Sequence, residues 1–144
     1  MYAFHVDQES GDLVSDHFGE PADDFTHPTV EWGGWHEHTR REFPDLGRGD
    51  VRLPAIHIAH TEGDTVTALT YQSHEVLDGK PPLRGLPATF GNEQDVSSLR
   101  ITLHDNISDV SAVLLYSVFP KQNAIVRSFQ LTNHGSESIS ILRA

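Results

Sequence analysis

The sequence predicts an all-β chain folded as an antiparallel β-sandwich. No window holds a sustained helical period of apolar residues, whereas short runs of alternating or β-branched residues recur along its 144 residues. Turn residues such as Gly, Pro, Asn and Asp separate these runs roughly every ten residues, a spacing typical of sandwiches. A closed barrel is the alternative arrangement of the same strands.

The first half of the chain predicts a hairpin followed by two strands. Residues 2–6 and 13–18 flank the polar connection 7–12, which contains the glycine expected of a hairpin turn. Residues 56–59 alternate in side-chain character and predict a short strand. Residues 66–76 predict a longer strand with two distinct faces.

The second half predicts the centre of the sheet. Residues 99–103 alternate cleanly between apolar and polar side chains, so one face of this strand should meet water. Residues 110–119 are apolar on both faces, and both should be covered. Residues 125–132 predict a further strand. Residues 138–144 still alternate at the end of the sequence, so we expect a sandwich that is incomplete at its C-terminus.

Composition excludes several classes of partner. The net charge of −11, from 21 acidic and 10 basic residues, repels phosphate backbones and anionic lipids, so we expect neither nucleic acid nor membrane as a partner. The sequence has no signal peptide and no apolar run long enough to span a bilayer, which predicts a soluble protein. The absence of cysteine excludes disulfides, thiol nucleophiles and zinc–thiolate sites, and leaves the compartment open.

Residues 19–49 depart from the pattern of short strands and turns. They are rich in Asp, Glu, Gly, Pro and His and contain both tryptophans of the chain. Connections longer than about 15 residues are uncommon inside a compact domain unless they are functional or disordered. Because disordered segments are poor in aromatic residues, we expect an ordered loop that packs on this domain, on another domain or on a neighbouring subunit.

The titratable residues do not predict a catalytic or metal site. His36 and His38 have a spacing compatible with chelation, but the spacing places no third ligand. Neighbouring carboxylates fall in predicted loops, where we expect solvated charge and not the rigid pair that glycoside hydrolysis requires. These neighbours are Asp23 with Asp24, Asp45 with Asp50, and Glu62 with Asp64. Nucleophile-elbow and phosphate-loop motifs are absent, so we predict no catalytic, cofactor-binding or metal-ligating residue.

Four residues of the long loop and its end are candidates for an interface or for the rim of a substrate site. Trp32 and Trp35 can stack on sugar rings, although a loop tryptophan more often anchors its loop to a core or an interface. Arg48 and Asp50 flank a glycine in an Arg-Gly-Asp tripeptide that cell-adhesion receptors read. Three residues are a weak pattern, and we expect a tight turn here, with the two charged side chains pinning the loop.

An ordered set of motifs covers nearly the whole chain. It begins with Tyr-Ala-Phe-His-Val at 2–6 and Asp-His-Phe-Gly at 16–19. Residues 41–55, Arg-Glu-Phe-Pro-Asp-Leu-Gly-Arg-Gly-Asp-Val-Arg-Leu-Pro-Ala, come next and are here called the signature segment. Gly-Lys-Pro follows at 79–81, Gly-Leu-Pro-Ala-Thr-Phe at 85–90, Leu-Arg-Ile-Thr-Leu at 99–103 and Ile-Val-Arg-Ser at 125–128. This set resembles the N-terminal domain of the α-galactosidases of glycoside hydrolase family 36.

The resemblance implies a β-supersandwich that precedes a catalytic (β/α)8 barrel. The barrel would carry the catalytic aspartates of a retaining enzyme that removes terminal α-linked galactose from raffinose- or melibiose-type sugars. The Lys-Trp-Asp motif of the family nucleophile is absent here, because the only lysines, Lys80 and Lys121, precede Pro and Gln. The resemblance therefore implies that residues 1–144 are a non-catalytic domain fragment, with its long loop at 19–49.

By the same resemblance, the domain would pack on the barrel, support a homo-oligomer, contribute to the active-site rim and bind galactosides at most weakly. No cofactor is implied. The alternative is a free-standing carbohydrate-binding or protein-interaction β-sandwich module.

Overall fold

The computed structural model describes residues 1–23, 40–48, 52–85 and 89–144, and these contain eight strands. The strands are β1 Tyr2–Val6, β2 Leu13–Phe18, β3 His57–Ala59, β4 Thr70–Asp78, β5 Ser97–Asp105, β6 Val110–Phe119, β7 Ala124–Asn133 and β8 Ser140–Arg143. A short 3₁₀ helix, Pro120–Gln122, joins β6 to β7. No helix in the described part of the chain is long and apolar enough to cross a membrane.

The strands form three antiparallel sheets. β1 pairs with β2, β3 pairs with β8, and β4, β5, β6 and β7 form a four-stranded sheet in that order. The order matches the chain order: short connections join β5 to β6 and β6 to β7, and a longer connection joins β4 to β5. Among the described residues, the four-stranded sheet ends at β4 and at β7, so it is open there. An all-β, antiparallel architecture is therefore confirmed, and the closed barrel is not observed.

The hydrophobic core lies on one face of the four-stranded sheet. The β1–β2 hairpin, β3, Phe43 and Ile56 cover this face. Its buried members are Leu13, Phe43, Ile56, Ile58, Leu69, Ile101, Leu103, Val110, Ala112, Leu114 and Tyr116. Each fully buried side chain of this size contributes about 1.5–3 kcal/mol through removal of apolar surface from water. The core therefore holds the hairpin and the segment after the long loop against the sheet.

The opposite face of the sheet is partly covered by Gly79, Gly91 and Val96 of the connection between β4 and β5. Val96 and Phe119 are buried there, and Gly91 fits between them, since a Cβ on Gly91 would lie 2.2 Å from Val96 Cγ2. The hydroxyl of Ser98 donates to the Gly79 carbonyl at 2.7 Å and hydrogen-bonds to the Ser117 hydroxyl at 2.8 Å. The prediction that both faces of β6 are covered is confirmed.

β4 begins at Thr70, four residues later than the sequence predicts. The backbone amides just before Thr70 donate hydrogen bonds to side-chain carboxylates and not to a neighbouring strand. The Leu69 N–H donates to Asp45 Oδ2 at 2.7 Å, and the Ala68 N–H donates to Asp105 Oδ2 at 3.2 Å. Buried carboxylates thus satisfy the amides that would otherwise extend the β4–β5 ladder.

Candidate docking face and the signature segment

The first part of the signature segment is built into the domain. Arg41 forms an isolated antiparallel bridge with Val14 of β2, and the Glu42 N–H donates to the Leu13 carbonyl at 2.8 Å. Four residues of this segment are at least nine-tenths buried: Arg41, Glu42, Phe43 and Asp45. Two of these are carboxylates, so the folded structure must provide donors and counter-charges for them.

The Asp45 carboxylate accepts three hydrogen bonds from described residues. Its Oδ1 accepts from Arg41 Nη1 at 2.6 Å and from the Gly47 N–H at 3.2 Å, and its Oδ2 accepts from the Leu69 N–H. Burial raises the pKa of Asp45 above its ordinary value, while the Arg41 guanidinium and the N–H donors oppose that increase. The expectation of solvated charge at Asp45 is wrong, because Arg41 is itself buried and compensates the carboxylate.

A second buried carboxylate, Glu42, joins three distant parts of the chain. Its Oε1 accepts from Tyr116 Oη at 2.8 Å, from Arg127 Nη2 at 2.6 Å and from Tyr2 Oη. The Arg127 guanidinium lies 5.5 Å from the centre of the Tyr2 ring and 5.4 Å from that of Tyr116, within the range of cation–π attraction. We call Tyr2, Glu42, Tyr116 and Arg127 the Glu42 cluster.

The electrostatics of the Glu42 cluster favour fixed protonation states. Burial, reinforced by the Glu42 carboxylate, raises the pKa values of Tyr2 and Tyr116 above the ordinary tyrosine value, so both phenols keep their protons. Burial acts to lower the pKa of Arg127, but Glu42 and the tyrosines together raise it. A carboxylate with three donors on one oxygen is suited to holding β1, β6 and β7 together, and poorly suited to proton transfer.

Sequence reasoning did not find the Glu42 cluster. Glu42 is separated from its partners by 40, 74 and 85 residues, so no spacing rule connects them. The only local signal is that two of the predicted strands carry a tyrosine at an apolar position, at residues 2 and 116. A buried phenol needs a hydrogen-bond partner, but the sequence does not say which.

A groove opens beside this cluster at the edge of the four-stranded sheet. Its volume is about 230 Å³, and its walls are Phe43, Ala55, Leu114, Tyr116, Arg127, Ser128 and Phe129. Three consecutive residues of β7 line it, so the groove lies beside that strand. The rings of Phe43 and Phe129 meet edge to face, with centroids 5.1 Å apart. β7 is the last strand of this sheet in the described part of the chain, and we call the groove together with the outer edge of β7 the docking face.

A larger cleft of about 720 Å³ lies elsewhere and shares no wall residue with the docking face. It is lined by Leu77, Asp78, Gly79, Lys80, Pro81, Pro82, Gly91, Asn92, Glu93, Gln94 and Arg100. Its lining mixes both signs of charge with proline rings.

Of the four candidate site residues, only Arg48 falls within the described residues. Its Nη2 donates to the Ser10 carbonyl at 2.7 Å, and its Nε lies 3.2 Å from Asp12 Oδ1. Arg48 therefore ties the signature segment to the turn between β1 and β2. Trp32, Trp35 and Asp50 lie outside the described residues, as do His36 and His38. Among the residues that the structure describes, no three His, Asp or Glu side chains are grouped so as to hold a metal ion.

Known proteins resemble this chain in sequence over nearly its whole length. Probable alpha-galactosidase G of Aspergillus terreus is 56% identical over 147 residues, which covers 97% of this chain and 20% of the relative. Alpha-galactosidase 2 of Hypocrea jecorina is 53% identical over 146 residues, with the same two coverages. The chain thus spans about one fifth of the length of these curated relatives.

The fold of this chain resembles part of several solved structures. The GH36 alpha-galactosidase AgaA from Geobacillus stearothermophilus matches with a TM-score of 0.86 at 30% identity, over 99% of this chain and 22% of that one. The alpha-galactosidase from Lactobacillus brevis matches with a TM-score of 0.85 at 29% identity, over 99% and 21%. The family model described as the glycosyl hydrolase family 36 N-terminal domain matches residues 10–144. The family predicted from the motifs is confirmed: the chain belongs to the N-terminal domain family of glycosyl hydrolase family 36.

Proposed function

We propose that this chain is the non-catalytic N-terminal part of a longer retaining α-galactosidase, and that catalysis takes place elsewhere in that polypeptide. One observation carries the proposal. Relatives named α-galactosidases match 97% of this chain but only a fifth of their own length, which leaves most of each relative to supply the chemistry. The buried carboxylates of the signature segment agree with this, because structural donors occupy them.

The substrate class follows from the relatives. Variants of AgaA from Geobacillus stearothermophilus have been crystallised with raffinose and with stachyose. At 31% and 30% identity and TM-scores of 0.86 and 0.81, these proteins share the fold of this chain. We therefore propose terminal α-linked galactose in raffinose- or melibiose-type sugars as the substrate of the longer polypeptide. The isolated chain would bind such sugars at most weakly.

The role of this domain in the longer polypeptide would be to pack on a (β/α)8 barrel and to support a homo-oligomer. The docking face supports this role, because it combines the last strand of the described sheet with an apolar groove and a half-exposed Arg127. Residues 1–144 would act as one domain fragment with a long loop at 19–49.

The active-site rim is a further proposed role of that loop. Trp32, Trp35, Arg48 and Asp50 remain candidates for contacts to the rim or to a neighbouring subunit. Arg48 is half-buried against the first hairpin, so it would position the adjoining residues of the loop end.

A segment exchange tests the proposal. Residues 1–144 would replace the matched segment of alpha-galactosidase 2 from Hypocrea jecorina, and hydrolysis of a chromogenic α-galactoside would be measured. We expect a folded, active chimera and an inactive isolated chain. The unmodified relative is the positive control, and the relative without the matched segment is the negative control. A chimera that folds but does not hydrolyse the substrate would contradict the proposal.

Calorimetry separates this proposal from the alternative, a free-standing carbohydrate-binding or protein-interaction module. Galactose and raffinose would be titrated into the isolated chain. A dissociation constant below about 1 mM, equivalent to roughly 4 kcal/mol of binding free energy, would favour the module. We expect no binding of that strength.

A further inference from the structure

The turn between β5 and β6 contains an acceptor motif for N-linked glycosylation. Residues 106–108, Asn-Ile-Ser, have the pattern Asn-X-Ser in which X is not proline. At the three other asparagines of the chain, the residue two positions later is neither serine nor threonine; these are Asn92, Asn123 and Asn133. An N-linked glycan on residues 1–144 would therefore be attached at Asn106.

The fold places this motif at the tip of a hairpin. β5 ends at Asp105 and β6 begins at Val110, so residues 106–109 form the whole connection. Asn106 is exposed. Because a glycan is bulky and hydrated, it requires an acceptor side chain on the protein surface, and this turn provides one.

The turn is held by a neighbouring carboxylate and not by Asn106. Asp105 Oδ1 accepts from the Ile107 N–H at 3.0 Å, and Asp105 Oδ2 accepts from the Ser108 hydroxyl at 2.8 Å. The side-chain amide of Asn106 takes no part in these bonds. Its Nδ2 can therefore be glycosylated without loss of the hydrogen bonds that form the turn.

Ile107 adds a second observation at the same position. This residue is 92% exposed, although isoleucine is among the residues most often buried. A sugar ring has apolar C–H faces, so a glycan on the adjacent Asn106 would shield part of this apolar surface from other chains. An exposed isoleucine beside an acceptor asparagine is thus suited to a glycosylated turn.

The turn is separate from the surfaces described above. None of residues 106–109 lines the groove of the docking face or the larger cleft. A glycan at Asn106 is therefore compatible with packing of the docking face on another part of the longer polypeptide. The relatives from Aspergillus terreus and Hypocrea jecorina are fungal, and fungi, as eukaryotes, attach N-linked glycans to proteins that enter the endoplasmic reticulum.

We propose that Asn106 carries an N-linked oligosaccharide in the longer polypeptide, and that the β5–β6 turn faces solvent there. The donor is a polyprenyl-diphosphate-linked oligosaccharide that ends in N-acetylglucosamine. Asn106 Nδ2 forms a bond to C1 of that sugar and loses one proton to a base of the transferase. The bond between C1 and the diphosphate oxygen breaks, and the polyprenyl diphosphate leaves with the electron pair.

Peptide mass spectrometry tests this inference. The Hypocrea jecorina chimera described above would be placed behind a cleavable secretion leader and secreted by that fungus. Its tryptic peptide 101–121 contains Asn106 and no other asparagine. We expect this peptide to carry a glycan in most molecules, and peptide-N-glycosidase in heavy-oxygen water should convert Asn106 to a labelled aspartate.

Three variants define the acceptor. Asn106→Gln and Ser108→Ala each destroy the motif, and both should abolish the modification. Ser108→Thr is the matched control, since threonine keeps both the motif and a hydroxyl for Asp105, and its peptide should remain glycosylated. Asn106→Gln should leave hydrolysis by the chimera unchanged, because the Asn106 side chain does not hold the turn.

Two results would overturn the inference. The first is an unmodified peptide 101–121 in a secreted, active chimera. The second is a modification of that peptide that persists in Asn106→Gln, which would place the attachment at another residue. The inference uses the proposed longer polypeptide but not its chemistry, so a glycosylated chimera without hydrolysis would count against the proposed function alone. If the chimera is not secreted, translation of residues 1–144 behind the same leader with microsomes decides by the same criteria.

Discussion

Substitution of Asp45 by asparagine should strongly destabilise the fold. The Asp45 side chain is fully buried, and that of its partner Arg41 is 5% exposed. Removing one member of a buried ion pair leaves an uncompensated charge, at a cost of about 3–5 kcal/mol. Asparagine can also serve only one of the two N–H donors with its carbonyl oxygen, and an unsatisfied buried N–H costs about 1–3 kcal/mol.

These costs overlap because all the groups share one carboxylate, so we do not add them. We expect the free energy of unfolding to fall by about 3–5 kcal/mol, out of the 5–15 kcal/mol typical of a domain. Urea denaturation followed by circular dichroism measures the change. Glu62→Gln is the matched control, since Glu62 is exposed in a turn and its substitution should change the free energy by no more than about 0.5 kcal/mol.

The double variant R41M/D45N removes both charges of the pair. It should be less destabilised than the sum of the two single variants, because neither charge is left buried alone. A loss below about 1 kcal/mol for D45N would refute the view that this pair anchors the signature segment.

Two further variants probe neighbouring features. The pKa of Tyr116 is raised in the folded state, so the unfolded chain loses this proton first, and the stability of the unsubstituted chain falls above pH about 10 by up to about 1.4 kcal/mol per pH unit. Tyr116→Phe removes this contribution. Urea denaturation between pH 9 and 11.5 should therefore show a shallower fall of stability with pH for the variant than for the unsubstituted chain. Gly47→Ala should cost at least about 1–3 kcal/mol, because its Cβ would lie 2.4 Å from the Thr67 carbonyl oxygen, whereas Gly19→Ala, with only ordinary contacts, should leave the melting temperature nearly unchanged.

The features that were predicted correctly depend on local sequence patterns. The hairpin strands Tyr2–Val6 and Leu13–Phe18 were predicted with their observed bounds, since alternation and a polar turn are both read within a few residues. Two-sided burial of β6 also followed from its apolar residues on both faces. These features need no knowledge of distant partners.

Features that depend on distant or buried partners were missed. The start of β4 was predicted too early, because the carboxylates of Asp45 and Asp105 take the amides before it. The Glu42 cluster joins residues up to 85 positions apart, which no periodicity can reveal. The burial of Asp45 had one overlooked signal, the arginine four residues before it. Opposite charges at that spacing are usually credited only within helices, and this segment is not helical.

The central claim, that this chain is an architectural part of a longer α-galactosidase and has no chemistry of its own, is tested most directly by one assay. Hydrolysis of a chromogenic α-galactoside would be measured for equal molar amounts of the isolated chain and the Hypocrea jecorina chimera. The account predicts no turnover above buffer for the isolated chain and clear turnover for the chimera. Turnover that follows the isolated chain through every purification step, at constant activity per mole, would contradict it.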